Sequence, residues 1–128
     1  MKTHHFGGDV ECDTPVKLQQ LLNLKYGENK VNEFLLKGES KYPYIAIMVK
    51  DKDAVVTYFS ETEDWMFQAV DSNNKLNKEE TSVFYTGTSE LEIEIYKEFV
   101  IPFEKAVKAA IQFFEVQRLS ACLKWSKQ

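Results

Sequence analysis

The chain of 128 residues predicts an α+β fold, a mainly antiparallel sheet with an N-terminal and a C-terminal helix packed on one face. Three observations predict it. Short runs of β-branched and aromatic residues follow one another through the middle of the chain, separated by polar turns. The two stretches with helical periodicity stand outside that run, one before it and one after it. The links between neighbouring strands are too short for crossover helices, which favours antiparallel pairing over a doubly wound parallel sheet.

Residues 1–12 read as a flexible N-terminal tail ahead of a single domain. Thr14-Pro15 then supplies a helix cap and a first-turn proline, and Leu18, Leu21, Leu22 and Tyr26 recur at helical spacing before Gly27. This predicts a first helix over 15–26. Residues 31–36 follow as a strand, and the apolar runs 44–49 and 54–59 flank Lys50-Asp51-Lys52-Asp53, a polar stretch suited to a hairpin turn. A further strand is expected over 65–70, and the polar stretch 71–80 reads as a surface loop.

Two more strands, 83–85 and 91–95, lie around Gly87. In the second, Leu91, Ile93 and Ile95 alternate with Glu90, Glu92 and Glu94, so one face is expected to be core and the other acidic. Ile101-Pro102 ends the extended segment. Phe103, Ala106, Val107, Ala110, Ile111 and Phe114 then form the apolar stripe of a second helix, with Phe113 at its edge. Trp125 is expected to pack as a residue that closes the core.

Composition excludes several classes of function. The formal net charge of -4 lacks the basic footprint that displaces counterions from nucleic acid, so direct nucleic-acid binding is not expected and a basic partner suits the chain better. No apolar run approaches the roughly 18 residues of a membrane span, and the N-terminus has no signal-like apolar stretch. The expected location is therefore cytoplasmic, where Cys12 and Cys122 read as reduced thiols. His4 and His5 stand adjacent, without a Cys-x-x-Cys, so neither a zinc site nor a histidine-based nucleophilic site is expected. The stretch from Asp71 fails as a calcium loop because Lys75, Leu76 and Ser82 occupy positions that need a ligand, a glycine and a glutamate. No catalytic residue, metal or cofactor is assigned, and the chain does not read as an enzyme.

Two acidic clusters are the candidate binding residues. Glu61, Glu63 and Asp64 precede Trp65, an arrangement that suits an aromatic anchor ringed by charge; Trp65 suits equally well the first inward residue of a strand. Glu90, Glu92 and Glu94 form an acidic stripe that suits a basic partner or a plain solvated face.

The run Val100-Ile101-Pro102-Phe103-Glu104-Lys105-Ala106, with Ala109-Ala110, Phe113-Phe114, Leu119 and Leu123-Lys124-Trp125 after it, resembles the Imm1 family of bacterial immunity proteins. The helix from Thr14, the segment 31–36 and the hairpin 44–59 also fall where that family places them, so the resemblance covers about residues 14–125. It implies an inhibitor that binds and neutralises a cognate toxin domain, a nuclease or deaminase with a basic cleft. Under that resemblance Glu61, Glu63, Asp64, Trp65, Glu90, Glu92 and Glu94 are the toxin-binding candidates. The competing expectation is a small metabolite- or peptide-binding domain, or a carboxylate-dependent enzyme with a pocket between helix and sheet.

Overall fold

A computed structural model describes residues 1–60, 65–71 and 79–128. Strands β1 (Lys2–His5) and β2 (Gly8–Glu11) come first, then helix α1 (Pro15–Leu22), β3 (Val31–Lys37), β4 (Tyr44–Lys50), β5 (Asp53–Phe59) and β6 (Met66–Val70). A hairpin of β7 (Thr81–Tyr85) and β8 (Glu92–Tyr96) follows, then β9 (Ile101–Pro102), helix α2 (Phe103–Val116) and β10 (Lys124–Lys127). The fold is α+β with an antiparallel main sheet in the order β10-β6-β5-β4-β3-β1-β2, and β9 pairs with the start of β5. Hairpin β7–β8 is a separate two-stranded sheet.

Residues 1–12, expected as a tail, are placed in the sheet, with Thr3 opposite Leu36 of β3 and opposite Val10 of β2. Gly8 makes the turn possible at a φ of 115°, a conformation that costs glycine little. Thr14 caps α1 as expected, its hydroxyl accepting from Lys17 N–H at 3.1 Å. The helix stops at Leu22 rather than at Tyr26. Asn23 closes it, its side chain donating to Gln19 O, and Tyr26 instead exchanges backbone hydrogen bonds with Val31. Long-range pairing thus takes Tyr26 away from a helix that its spacing alone would favour.

The expected hairpin turn shortens to Asp51-Lys52, with Asp51 at a φ of 53°. Cross-strand register then sorts the side chains of β3, β4 and β5. Phe34, Ile47 and Val56 stand in one row, Leu36, Ile45 and Tyr58 in the next, and all six face the same way. They share one buried cluster with Leu18, Leu21 and Leu22 of α1 and Ala106, Ala110 and Phe113 of α2. This is the first face of the sheet. The stripe of α2 is rotated from the expected one: Ala106, Ala109, Ala110 and Phe113 are the buried residues, and Phe114 is only half-buried. Gln117 ends α2 in the left-handed region at a φ of 48°, a position helices usually give to glycine.

Trp125 sits in β10 opposite Ala69, its ring edge towards Tyr58 and its indole N–H donating to Ser120 O at 2.7 Å. It is half-buried against the core. Cys12 is buried and Cys122 exposed, and both are free thiols. Among the described residues no helix is long and apolar enough to cross a membrane.

Candidate binding surface

The second face of the sheet begins from the alternate residues of the same strands, Glu33, Met48 and Val55 in one row. Hairpin β7–β8 lies over it, with β7 against β3 and β4. Phe84 is fully buried in a small second cluster with Val55 and Val100, and Met48 and Ile95 pack around it.

Three side chains, making four hydrogen bonds, fix the hairpin in place. The Glu33 carboxylate accepts from Thr86 Oγ1 at 2.8 Å and from Gly87 N–H at 2.9 Å. Lys50 Nζ donates to Val83 O at 2.9 Å, and Asn29 Nδ2 donates to the Tyr85 hydroxyl at 3.0 Å. The hairpin is therefore held at its tip, middle and edge by side chains of the main sheet and the loop before it.

Register decides which side chains the hairpin shows. Tyr85 stands opposite Glu92, Val83 opposite Glu94 and Thr81 opposite Tyr96, so these six share the outer side. Glu90, Glu92 and Glu94 are exposed, and none forms an ion pair among the described residues. At the base of the hairpin Glu80 does pair, with Lys97 at 3.1 Å. The expectation of a core face in this strand holds only for Ile95. Leu91 and Ile93 remain 59% and 38% exposed. The reason is that β8 belongs to a two-stranded layer over the sheet, where one side of the strand has only part of its length covered.

The other acidic candidate divides differently. Glu61, Glu63 and Asp64 lie outside the described residues. Trp65 is half-exposed, with the edge of Phe67 against its ring and Lys127 Nζ 3.5 Å from its centroid. Phe67 stands opposite Tyr58, on the first face of the sheet, and Trp65 two residues earlier lies on that side as well. The β8 carboxylates belong to the layer over the second face, so the structure does not bring Trp65 together with Glu92 and Glu94. A cation–π contact also gives Trp65 a partner within the chain.

Tyr85 and Tyr96 share the outer side of the hairpin with the candidate carboxylates, and the sequence alone did not single them out. Tyr96 is 53% exposed beside the carboxylates. Period-two spacing through Glu92, Glu94 and Tyr96 carried that signal, but Tyr85 joins the group only through cross-strand register. Tyr42 and Tyr44, flanking Pro43, form a second aromatic patch in which Tyr44 stacks on Phe59 at 4.4 Å. Burial, with Tyr42 beside it, raises the Tyr44 hydroxyl above its ordinary pKa.

A cleft of about 660 Å³ runs between Glu11, Gly38, Ser40 and the end of α2 at Phe114 and Gln117. Its Glu11 carboxylate is held by the N-terminal ammonium at 2.8 Å. Glu11 thus already has a cationic partner, and the cleft does not lie beside the β8 carboxylates.

No protein-family model matches the chain. Over 127 residues it is 27% identical to a double-stranded DNA deaminase immunity protein of Burkholderia cenocepacia (strain H111), a match that covers 99% of each chain. The likeness is to a bacterial immunity protein. It extends through both termini, so the Burkholderia protein is matched across the N-terminal hairpin β1–β2 and strand β10 as well as the central sheet.

Proposed function

We propose that this chain is an immunity protein, which binds a cognate bacterial toxin domain that deaminates DNA and holds it inactive. The observation that carries the reading is the end-to-end likeness to a double-stranded DNA deaminase immunity protein. The Imm1-like run from Val100 to Ala106 points the same way: it forms β9 and the first turn of α2, where Ala106 enters the core.

The binding mechanism follows from the exposed side of the hairpin. An enzyme that acts on DNA needs a basic groove for the phosphate backbone. Glu90, Glu92 and Glu94 present carboxylates that form no ion pair among the described residues, with Tyr85 and Tyr96 beside them. Carboxylates meeting Lys and Arg accelerate encounter, and the aromatic rings supply contact area at low entropic cost. Close charge pairs in ribonuclease–inhibitor complexes couple by about 1.5–7 kcal/mol, and an interface of about 1,600 Å² is ordinary for such a pair. The chain acts by occupying a surface and uses no chemistry of its own. Trp65, on the other side of the sheet, is a second contact region, and Glu61, Glu63 and Asp64 precede it in the sequence.

The test is titration of the cognate DNA deaminase domain with this chain. Deamination of double-stranded DNA should fall to background as one equivalent of the chain is added, and co-expression should protect cells from the domain. Persistent deamination at excess chain refutes the reading.

A further inference from the structure

We propose that the outer edge of β8 is a strand-addition site that takes an extended, basic segment of the toxin; this rests on the immunity reading above. Backbone parity carries it. Thr86 N–H donates to Leu91 O at 3.0 Å, and Lys97 N–H donates to Glu80 O at 2.9 Å. In an antiparallel ladder the bonded pairs recur every second residue. With Phe84 opposite Ile93 and Ser82 opposite Ile95, the N–H and C=O groups of Leu91, Ile93 and Ile95 turn inward to β7. Those of Glu92 and Glu94 turn outward.

The opposite edge checks this parity. The same alternation sends the Val83 carbonyl away from β8, and it is there that Lys50 Nζ donates to it at 2.9 Å. The β7 edge is thus engaged by the main sheet. The Glu92 and Glu94 edge meets no strand and no other backbone group among the described residues.

The chemistry of the occupant follows from the side chains that flank the open edge. Glu92 and Glu94 are exposed on one side of the strand, Leu91 and Ile93 on the other. A strand added there sets its own side chains directly beside these, and opposite charges so placed attract whereas like charges repel. The fitting segment therefore carries Lys or Arg beside the two carboxylates and apolar residues between them, with main-chain hydrogen bonds adding affinity. A second copy of β8 is disfavoured, because antiparallel self-pairing would set carboxylates against carboxylates. Acidic side chains thus guard the edge against the chain itself while leaving it open to a basic strand.

Hydrogen exchange on the full chain, alone and saturated with the cognate DNA deaminase domain, tests the proposal. The amides of Glu92 and Glu94 should slow by about tenfold or more in the complex. Glu94→Pro, which removes an outward N–H, should weaken binding by about tenfold beyond Glu94→Gln, which removes only the charge. A complex without protection at these amides, and with equal affinities for the two variants, overturns strand addition and leaves the immunity reading standing. Failure to form any complex removes both. Protection that grows with the concentration of the chain alone would make a second copy the occupant and overturn the basic-strand proposal.

Discussion

Glu33 and Gly87 are 54 residues apart in the chain, and the carboxylate of the first accepts the backbone N–H of the second at 2.9 Å. The other carboxylate oxygen takes the Thr86 hydroxyl, so one side chain of the sheet fastens the tip of the acidic hairpin. Glu33→Ala should lower stability by about 1–3 kcal/mol. The loss should be local: amides of Phe84 and Ile93 exchange faster, while those of Phe34 and Ile47 keep their protection. Uniform loss of protection across both layers would contradict a clamp that acts on the hairpin.

Reversing the charge of Glu90, Glu92 and Glu94 together to Lys tests the acidic side directly. Association with the toxin should slow by about tenfold or more, and its dependence on salt should flatten, since steering by exposed charge is screened within a Debye length of roughly 8 Å. Stability should change by only about 0.5 kcal/mol, because all three residues are exposed. Stopped-flow mixing at two ionic strengths measures both effects. An unchanged association rate removes these residues from the interface.

Asn32 is fully buried and joins three backbone groups. Its Oδ1 accepts from Phe6 N–H at 3.1 Å and from Glu33 N–H at 2.8 Å, and its Nδ2 donates to Leu24 O at 2.8 Å. Asn32→Leu has similar volume but strands these groups, each of which costs about 1–3 kcal/mol when left unpaired in the interior. Urea denaturation should show a loss of at least about 2 kcal/mol. A neutral result would mean that the N-terminal hairpin does not need this tie.

His5 gives the fold a dependence on pH. It is buried beside Phe34 and Tyr26, and its Nδ1 accepts from Gly7 N–H at 3.1 Å, so the proton of the neutral ring sits on Nε2. Burial, and then the charge of His4, hold its pKa below the ordinary 6.5. The unfolded chain therefore binds the proton more readily than the folded one. This contribution to stability is complete above pH 6.5 and is lost as pH falls from 6.5 through the folded-state pKa. The melting temperature should drop on acidification across that window, and His5→Gln should flatten the slope there. An equal slope in the variant would assign the effect to other groups.

Phe113 and Phe114 are adjacent, but only Phe113 is fully buried, with its ring edge-on to Tyr58. Phe113→Ala should cost about 3–5 kcal/mol, as a large truncation in a packed core. Phe114→Ala should cost clearly less. Chemical denaturation of the two variants side by side measures the difference, and an equal loss would contradict the observed rotation of α2.

The structure explains why the middle of the sheet was legible and the hairpin was not. Residues 44–59 carry their alternation, turn and pairing within one continuous stretch, so β4 and β5 follow from local rules. In β8 the alternation was equally clear, yet burial depends on what lies opposite. Leu91, Ile93 and Ile95 have the same spacing, but only Ile95 reaches the cluster formed with Val55, Phe84 and Val100. The N-terminal hairpin was missed for a related reason. His4, His5 and Gly7-Gly8 have little strand propensity, and pairing with β3 supplies what propensity does not.

By itself the sequence determined the α+β class, the order of most elements and the exposure of Glu90, Glu92 and Glu94, because periodicity and turn chemistry act between near neighbours. Only the tertiary structure decided that Trp65 and those carboxylates belong to opposite sides of the sheet, that Glu33 fastens the hairpin, and that the outer edge of β8 meets no strand among the described residues. Each of these is a relationship between segments distant in the chain, set by strand register and by which apolar rows come together, and no local pattern encodes it.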